Sequence, residues 1–250
     1  MELRNSLKGL RFGRDRVFWL VVGSLVLIYV LLRLNLVMLL ATLVALLLAI
    51  TVHECAHAWV ADQLGDPTAR DAGRISLNPL VHLDLMGTVM MIVTALTGMG
   101  IGWGKPVPVS PHRLRYGPRL GNGLVALSGP ISNLLLATVL GLTLRFAPPL
   151  PPTAYQFLGT AVFTNIVIAM FNLLPFPPLD GHSVLLGLLS LSHDEWAWRV
   201  SQFVDGLQRY GPWILLGVIL IGQSFGLNLI GWLIGPPTRF FFWLVVGVRG

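Results

Sequence analysis

The chain has 250 residues, of which 54% are hydrophobic and only 11% are charged. Soluble domains usually carry about 25% charged residues, so this composition excludes an ordinary soluble protein and favours a polytopic membrane protein. The net charge of +6 does not indicate nucleic-acid binding, because the basic residues lie in short segments between apolar runs, where they set topology and meet anionic lipid.

The N-terminal segment predicts the orientation of the chain. Residues 1–16 are polar with an excess of Arg and Lys, and a first apolar span follows at about 17–32. The positive-inside rule therefore predicts a cytoplasmic N-terminus. A second apolar run at about 36–64 returns to the cytoplasmic face and is uncharged from 34 to 52.

The last third of this second run carries the sequence His53-Glu54-Cys55-Ala56-His57. Residues four apart share one face of a helix, so both imidazoles can reach one ion, and the adjacent Glu54 can take a proton from a metal-bound water. The alternative is two buried histidines and an unrelated carboxylate. Ionisable groups at the end of a membrane span are costly, which favours a functional metal site near the cytoplasmic side of the membrane.

The middle of the chain predicts a small extended region and an ambiguous apolar segment. Residues 73–79 alternate like a short strand, and the prolines of 104–109 predict an extended backbone, so these segments could form a sheet edge that holds a substrate strand. Residues 85–104 are uncharged but interrupted by glycine and threonine. The basic residues that follow should be cytoplasmic, which favours a re-entrant segment over a full span.

The rest of the chain predicts three further spans. Apolar runs at about 121–144 and 155–174 precede a proline-rich break at 175–178, which places irregular backbone near membrane depth, where it belongs beside a site. A mixed-charge helix at 193–209, a last span at 213–234 and an interfacial segment at 240–248, too short to cross, complete the chain.

A catalytic zinc needs a third protein ligand and an open position. Five residues are candidates: Asp180, Asp84, His82, His182 and Asp62. Asp180 is preferred, because it ends an uncharged stretch from 146 to 179 and the proline break lets the backbone turn toward another helix. His82 and Asp84 could orient the ligands or simply be polar boundary residues.

These motifs together resemble the site-2 proteases, which are polytopic zinc intramembrane proteases, and in particular the compact bacterial group without a PDZ domain. The matching stretches are 53–57, 73–84, 104–109, 128–133 and 172–181. The chain departs from the family pattern at Leu85, where proline is favoured, and at His182, where a small residue is common.

The resemblance implies one zinc per chain, bound by His53, His57 and Asp180, with Glu54 as the general base. It also implies that Asn133 and Asn172 handle the substrate. The expected substrates are transmembrane segments of other membrane proteins, cleaved at a site nearer the cytoplasmic face of a bacterial inner membrane. The alternative function is a metal transporter or metal-binding non-enzyme, although no second cluster of ligands follows the spans.

We therefore predict an all-α polytopic membrane protein with five to six transmembrane helices, a small membrane-associated extended or β segment, and a re-entrant segment at 85–104. The chain is expected to form a single integral membrane metalloprotease domain, 1–250. Its core is expected at about 36–191, preceded by the N-terminal segment and first span at 1–35 and followed by the cytoplasmic helix, last span and interfacial tail at 192–250.

Overall fold

The computed structural model describes residues 18–24, 35–97 and 102–247. The chain divides into two units, Met1–Leu39 and Leu40–Gly250. The described part of the first unit includes a helical stretch at 18–24. The predicted first span, 17–32, lies largely outside the described residues. The candidate functional residues all lie in the second unit.

From residue 35 onward, the described chain is organised by eight helices of ten or more residues. They are α1 (Leu36–Gln63), α2 (Leu85–Thr97), α3 (Gly117–Phe146), α4 (Pro152–Asn172), α5 (Asp180–Leu189), α6 (Glu195–Leu207), α7 (Gly211–Ser224) and α8 (Leu229–Val246). Four of them, α1, α3, α4 and α8, are long and apolar enough to cross a membrane. A helix satisfies its own backbone hydrogen bonds, which is what the hydrocarbon interior requires. The prediction of an all-α polytopic membrane protein is confirmed.

The main core lies where α3, α4 and α8 pack together. Its buried side chains include Ala137 of α3, Val162 and Ile166 of α4, and Val245 and Val246 of α8. Small residues bring α3 equally close to α5, since a Cβ built on Gly123 would lie 3.1 Å from the Cα of Gly187. Helix α3 is therefore the central element against which α4, α5 and α8 are placed.

Helix α1 ends in a capping motif that ties it to the extended segment. Gly65 adopts a positive φ of 102°, and the amides of Gly65 and Asp66 donate to the carbonyls of Asp62 and Ala61 at 3.0 and 2.9 Å, as in a Schellman motif. The Asp66 carboxylate accepts hydrogen bonds from Thr68 Oγ1 and from the Ser110 amide, both at 2.5 Å. Burial alone would raise the pKa of Asp66, but these hydrogen bonds outweigh it and hold the pKa below its usual range.

The extended region is present, but neither of its two segments forms a strand within the described residues. An isolated antiparallel bridge joins Leu83 to Gly104, and the Lys105 amide donates to the His82 carbonyl at 2.7 Å. The strand predicted at 73–79 is wrong, because Gly73 turns the chain with a φ of 69° and Asn78 caps a short 3-10 helix at Pro79–Val81.

The geometry around α2 agrees with a re-entrant segment. Helix α2 has 13 residues, too few to cross a bilayer. A Cβ at Gly87 would overlap the carbonyl of Trp103, and one at Gly102 would overlap the Met91 side chain. Residues 102–104 therefore lie back along α2, and Gly104 pairs with Leu83, just before α2 begins.

Two predictions at the C-terminal end are wrong. The single span expected at 213–234 is divided between α7 and α8, because Gly226 turns the chain with a φ of 66° and Asn228 Oδ1 caps α8 by accepting from the Gly231 amide at 2.9 Å. The interfacial segment expected at 240–248 is instead the end of α8, buried against α3 and α4. The helix continues through Pro236 and Pro237.

Candidate metal centre

Helix α1 holds His53 and His57 side by side. The two residues are one helical turn apart on one face, their ring centroids lie 4.5 Å apart, and the rings are nearly perpendicular, at 86°. Both are buried, with 6% and 8% of their surface exposed. The spacing predicted from the sequence therefore places both imidazoles at one point in the interior.

Asp180 reaches the same point from α5. Its Oδ2 lies 3.0 Å from His53 Nε2 and 3.5 Å from His57 Nε2. Among the described residues, these three form the group of His, Cys, Asp or Glu side chains that could hold a metal, with all ligand atoms within 4.8 Å of one another. Gly181 makes this placement possible, because any Cβ there would overlap the Leu173 and Leu174 carbonyls.

Hydrogen bonds on the far side of each ring determine which nitrogen carries the proton. His53 Nδ1 lies 2.6 Å from Asn133 Oδ1, and His57 Nδ1 lies 2.7 Å from the Val125 carbonyl. Both partners are acceptors, so each Nδ1 carries a proton and donates it. The neutral ring then presents the lone pair of Nε2 toward Asp180, which is the usual state of a metal-bound histidine.

A network across three helices fixes the orientation of Asn133. Its amide nitrogen donates to the Ala49 carbonyl at 3.0 Å and to Asn165 Oδ1 at 2.9 Å. The amide of Asn165 in turn donates to the Ala161 carbonyl at 2.8 Å. Asn133 and Asn165 are both completely buried. Because both protons of the Asn133 amide are used, its oxygen must face His53.

The arrangement of these atoms fits a bound cation. Two imidazole lone pairs and a carboxylate oxygen converge, and Asp180 Oδ2 is buried without a hydrogen-bond donor among the described residues. Three electron-rich atoms facing one another are unfavourable unless a positive charge lies between them. Two nitrogens and one carboxylate oxygen are a donor set that zinc accepts in catalytic sites. The residues present therefore fit zinc.

Glu54 lies beside the three metal-ligand candidates in a cavity of about 1120 Å³. The backbone of Gly104 comes so close that a Cβ there would lie 3.2 Å from Glu54 Oε1. Asn172 also lines the cavity, and its amide donates to the Ile168 carbonyl at 3.0 Å. Asn133 is not among the lining residues, and its contacts support a role in orienting His53.

The other four candidate ligands lie in separate local structures. His82 Nε2 donates to the Ser76 carbonyl at 2.7 Å, and His182 Nε2 donates to the Val204 carbonyl at 3.1 Å. Asp84 caps α2 by accepting from the Gly87 amide at 2.8 Å. Asp62 pairs with Arg70 at 3.0 Å. None of the four belongs to the metal-ligand group.

Two residues beside the centre were not predicted from the sequence. A Cβ at Gly129 would lie 2.5 Å from His57 Nε2 and 2.6 Å from His53 Cε1, so only glycine lets α3 approach both rings. Asn165 holds Asn133 from α4. The available signal for Asn165 was an amide inside an apolar span, whereas Asn133 was identified through the family resemblance.

The chain is similar to curated bacterial proteins. It is 40% identical over 154 residues, 58% of this chain and 68% of the relative, to "Putative zinc metalloprotease YwhC" of Bacillus subtilis (strain 168). It is 32% identical over 141 residues, 56% of this chain and 53% of the relative, to "Putative zinc metalloprotease Rip2" of Mycolicibacterium smegmatis. The match to Rip2 of Mycobacterium tuberculosis is 31% identical over 142 residues, 56% of this chain and 53% of the relative.

The chain thus spans about two thirds of the first relative and about half of each Rip2 protein. No protein-family model matches the chain, and no solved structure matches it. The relatives and the four membrane-spanning helices agree with the motifs: this is an integral membrane zinc metalloprotease, and it belongs to the site-2 protease-like family.

Proposed function

We propose that the protein is an intramembrane endopeptidase that cleaves transmembrane segments of other membrane proteins, with zinc held by His53, His57 and Asp180 and Glu54 as the general base. The observation that carries this proposal is that the three ligand atoms lie within 4.8 Å of one another and that two of them come from α1, a helix long and apolar enough to span a membrane.

The protein supplies three parts of the chemistry through its own residues. Zinc held by His53, His57 and Asp180 would supply Lewis-acid chemistry, activating water and polarising the peptide carbonyl. Glu54, which lines the same cavity, accepts a proton from the attacking water and later returns it to the leaving amine. Asn133 and the Val125 carbonyl keep both histidines in the tautomer that presents Nε2. Asn172 lines the cavity where an opened substrate would pass, consistent with a role in substrate handling.

The location of the site suggests how water reaches it. His53 and His57 lie in the last third of α1 (Leu36–Gln63). With the N-terminus in the cytoplasm, as the basic residues of 1–16 predict, this end of α1 faces the cytoplasm. The path for water is then short, and the membrane concerned is the inner membrane of a bacterial cell.

A metal-transport function has less support. A transport path requires several ligand groups along the spans. Within the described residues, the His53, His57 and Asp180 group is the one cluster of this kind. Membership of a zinc metalloprotease family also favours hydrolysis over transport.

Zinc content tests the ligand set. Detergent-purified wild-type protein should contain one zinc per chain, and Asp180→Ala should lose it because only two ligands remain. The matched control is Asp71→Ala, whose carboxylate is 67% exposed and which should keep the metal. Zinc retained in Asp180→Ala would contradict the assignment of the third ligand.

Cleavage tests the role of Glu54. The probe is a fluorescently labelled synthetic peptide with a lysine-flanked Leu/Ala membrane span interrupted at its centre by Gly-Ser-Gly, here called the span probe. Glu54→Gln should keep zinc but lose cleavage of the span probe by at least about a hundredfold. Glu195→Gln, a change at an exposed surface pair with Arg199, should cleave normally. Cleavage by Glu54→Gln at the wild-type rate would refute the general-base role.

A further inference from the structure

The cavity that contains the metal centre is also lined by α8. Its capping residue and six residues of the helix contribute: Asn228, Ile230, Gly231, Ile234, Gly235, Thr238 and Arg239. None of these residues was assigned a role from the sequence. Helix α8 therefore borders the same space as Glu54 and Asp180.

The face of α8 toward this cavity carries small residues, and the space beside Gly235 is open. Gly231, Gly235 and Thr238 follow one another at helical spacing on one face. A Cβ at Gly235 would meet no atom within 4 Å, whereas one at Gly231 would overlap the side-chain nitrogen of Asn228, which caps the helix. The cap therefore explains the glycine at 231, but no packing within the second unit requires glycine at 235.

The other half of α8 is packed in the ordinary way. Phe242 contacts the ring of Phe163 in α4, with centroids 6.2 Å apart, and a Cβ at Gly141 of α3 would lie 2.6 Å from the Val245 side chain. Packing against α3 and α4 is thus concentrated beyond Thr238, although Ile234 also packs against this core. The cavity borders α8 from its first turn to Arg239, so Thr238 lies where the packed and the cavity-facing parts of the helix meet.

Thr238 carries an unused hydrogen-bonding group at this point. The residue is only 3% exposed, and its Oγ1 has no hydrogen-bond partner among the described residues. A threonine inside a helix commonly donates to the carbonyl four residues earlier, and a buried hydroxyl without a partner destabilises the fold. A polar group left unpaired beside a cavity indicates a ligand that satisfies it.

We propose that the N-terminal half of α8 is a substrate-binding wall, against which an opened transmembrane segment lies while Thr238 Oγ1 hydrogen-bonds its backbone. This inference rests on the proposed function. A span that has been unwound for cleavage exposes amides and carbonyls that the membrane cannot satisfy, and a hydroxyl can pair with either. Small residues let another backbone approach closely. The occupant is the substrate because the space is continuous with Glu54.

Two substitutions separate binding at this wall from folding. Gly235→Leu fills the open space, and it should not disturb the fold because no neighbour lies within 4 Å of the new Cβ and leucine favours helix. Thr238→Val keeps the side-chain shape but removes the unpaired hydroxyl, so its melting temperature should equal or exceed that of the parent. The control is Trp232→Leu, on a side chain 75% exposed that does not line the cavity.

Binding of the span probe is measured by fluorescence anisotropy on zinc-loaded Glu54→Gln protein and on the same protein carrying each α8 change. Gly235→Leu should weaken binding by at least about tenfold, and Thr238→Val by roughly 2-fold to 12-fold. Both should keep full zinc content and the parent melting temperature or better, and Trp232→Leu should match the parent in every measurement.

Three results would overturn the inference. The first is parent-like affinity in Gly235→Leu and Thr238→Val, or no binding of the span probe to the parent. The second is an equal loss in Trp232→Leu, which would show a general effect on α8. The third is a lower melting temperature in Gly235→Leu, which would show that this face is packed in the folded protein and not open to a substrate.

Failure of this inference is distinct from failure of the proposed function. Binding is measured without turnover as long as Glu54→Gln has lost cleavage. If Glu54→Gln still cleaves the span probe, binding is measured instead on chelator-treated protein, which has no metal for turnover, so the α8 wall is still tested. Conversely, a loss of cleavage in Glu54→Gln together with unchanged binding in the α8 variants would support the protease and reject the wall.

Discussion

Replacing Gly129 by alanine should damage the metal centre while leaving its ligands in place. The added methyl group would lie 2.5 Å from Cε1 and Nε2 of His57 and 2.6 Å from Cε1 of His53, where ordinary contact begins at 3.4 Å. Relief of this overlap requires the rings and α3 to separate by about 1 Å, several times the roughly 0.2 Å tolerance of zinc–ligand distances.

The expected result for Gly129→Ala is a loss of zinc affinity of about tenfold to a hundredfold, the range seen when groups that orient ligands are changed. Helix propensity alone would favour the variant by about 1 kcal/mol, so any loss must come from the clash. The assay is competition for zinc with a fluorescent chelator, combined with a melting curve in detergent.

The matched control for Gly129→Ala is Gly159→Ala, the same change inside α4 at a position where a Cβ meets nothing within 4 Å. It should leave zinc affinity unchanged and stability equal or slightly higher. Wild-type zinc affinity in Gly129→Ala would refute the reasoning, because it would mean that the two rings do not need this close approach to α3.

Two further predictions follow from buried hydrogen bonds. Asn133→Ala removes the acceptor of His53 Nδ1 and should lower the zinc affinity by about tenfold to a hundredfold. Asn165→Ala acts only through Asn133 and should lower the zinc affinity less. A larger loss in Asn165→Ala than in Asn133→Ala, measured by chelator competition, would contradict this chain of contacts. The fold lowers the pKa of Asp66, so on acidification the unfolded chain takes up the proton first, at a pKa of about 3.9. The hydrogen bonds to the ionised Asp66 therefore stabilise the fold above that pH, and this stabilisation is lost as the pH falls through the folded pKa. The melting temperature of Asp66→Asn should therefore approach that of the wild type below about pH 4, and a gap that widens on acidification would be inconsistent with the assigned hydrogen bonds.

The errors of the sequence interpretation share one cause. One span was expected at 213–234, but Gly226 turns the chain and Asn228 caps a new helix that runs on through Pro236 and Pro237; membrane helices tolerate proline when neighbouring elements compensate. Residues 73–79 alternate like a strand, but a glycine turn at Gly73 and a cap at Asn78 override the pattern. In both places a glycine turn and an asparagine cap interrupt the hydropathy pattern on which the prediction rested.

The sequence by itself determined the parts of the protein that depend on local spacing. Runs of apolar residues long enough to cross a membrane predicted the polytopic helical class, and the four-residue interval from His53 to His57 guaranteed a shared helix face. The proline break before Asp180 predicted irregular backbone beside a site. These features follow from the geometry of one helix or one turn, which the order of residues fixes directly.

Only the tertiary structure decided which distant groups meet. It brought Asp180 to the two histidines, left His82, Asp84 and His182 in other roles, and placed Asn133 and the Val125 carbonyl where they set the histidine tautomers. It also opened one face of α8 to the cavity. The physical reason is that helix packing depends on side-chain volumes and hydrogen-bond partners far apart along the chain, and no local periodicity encodes those pairings.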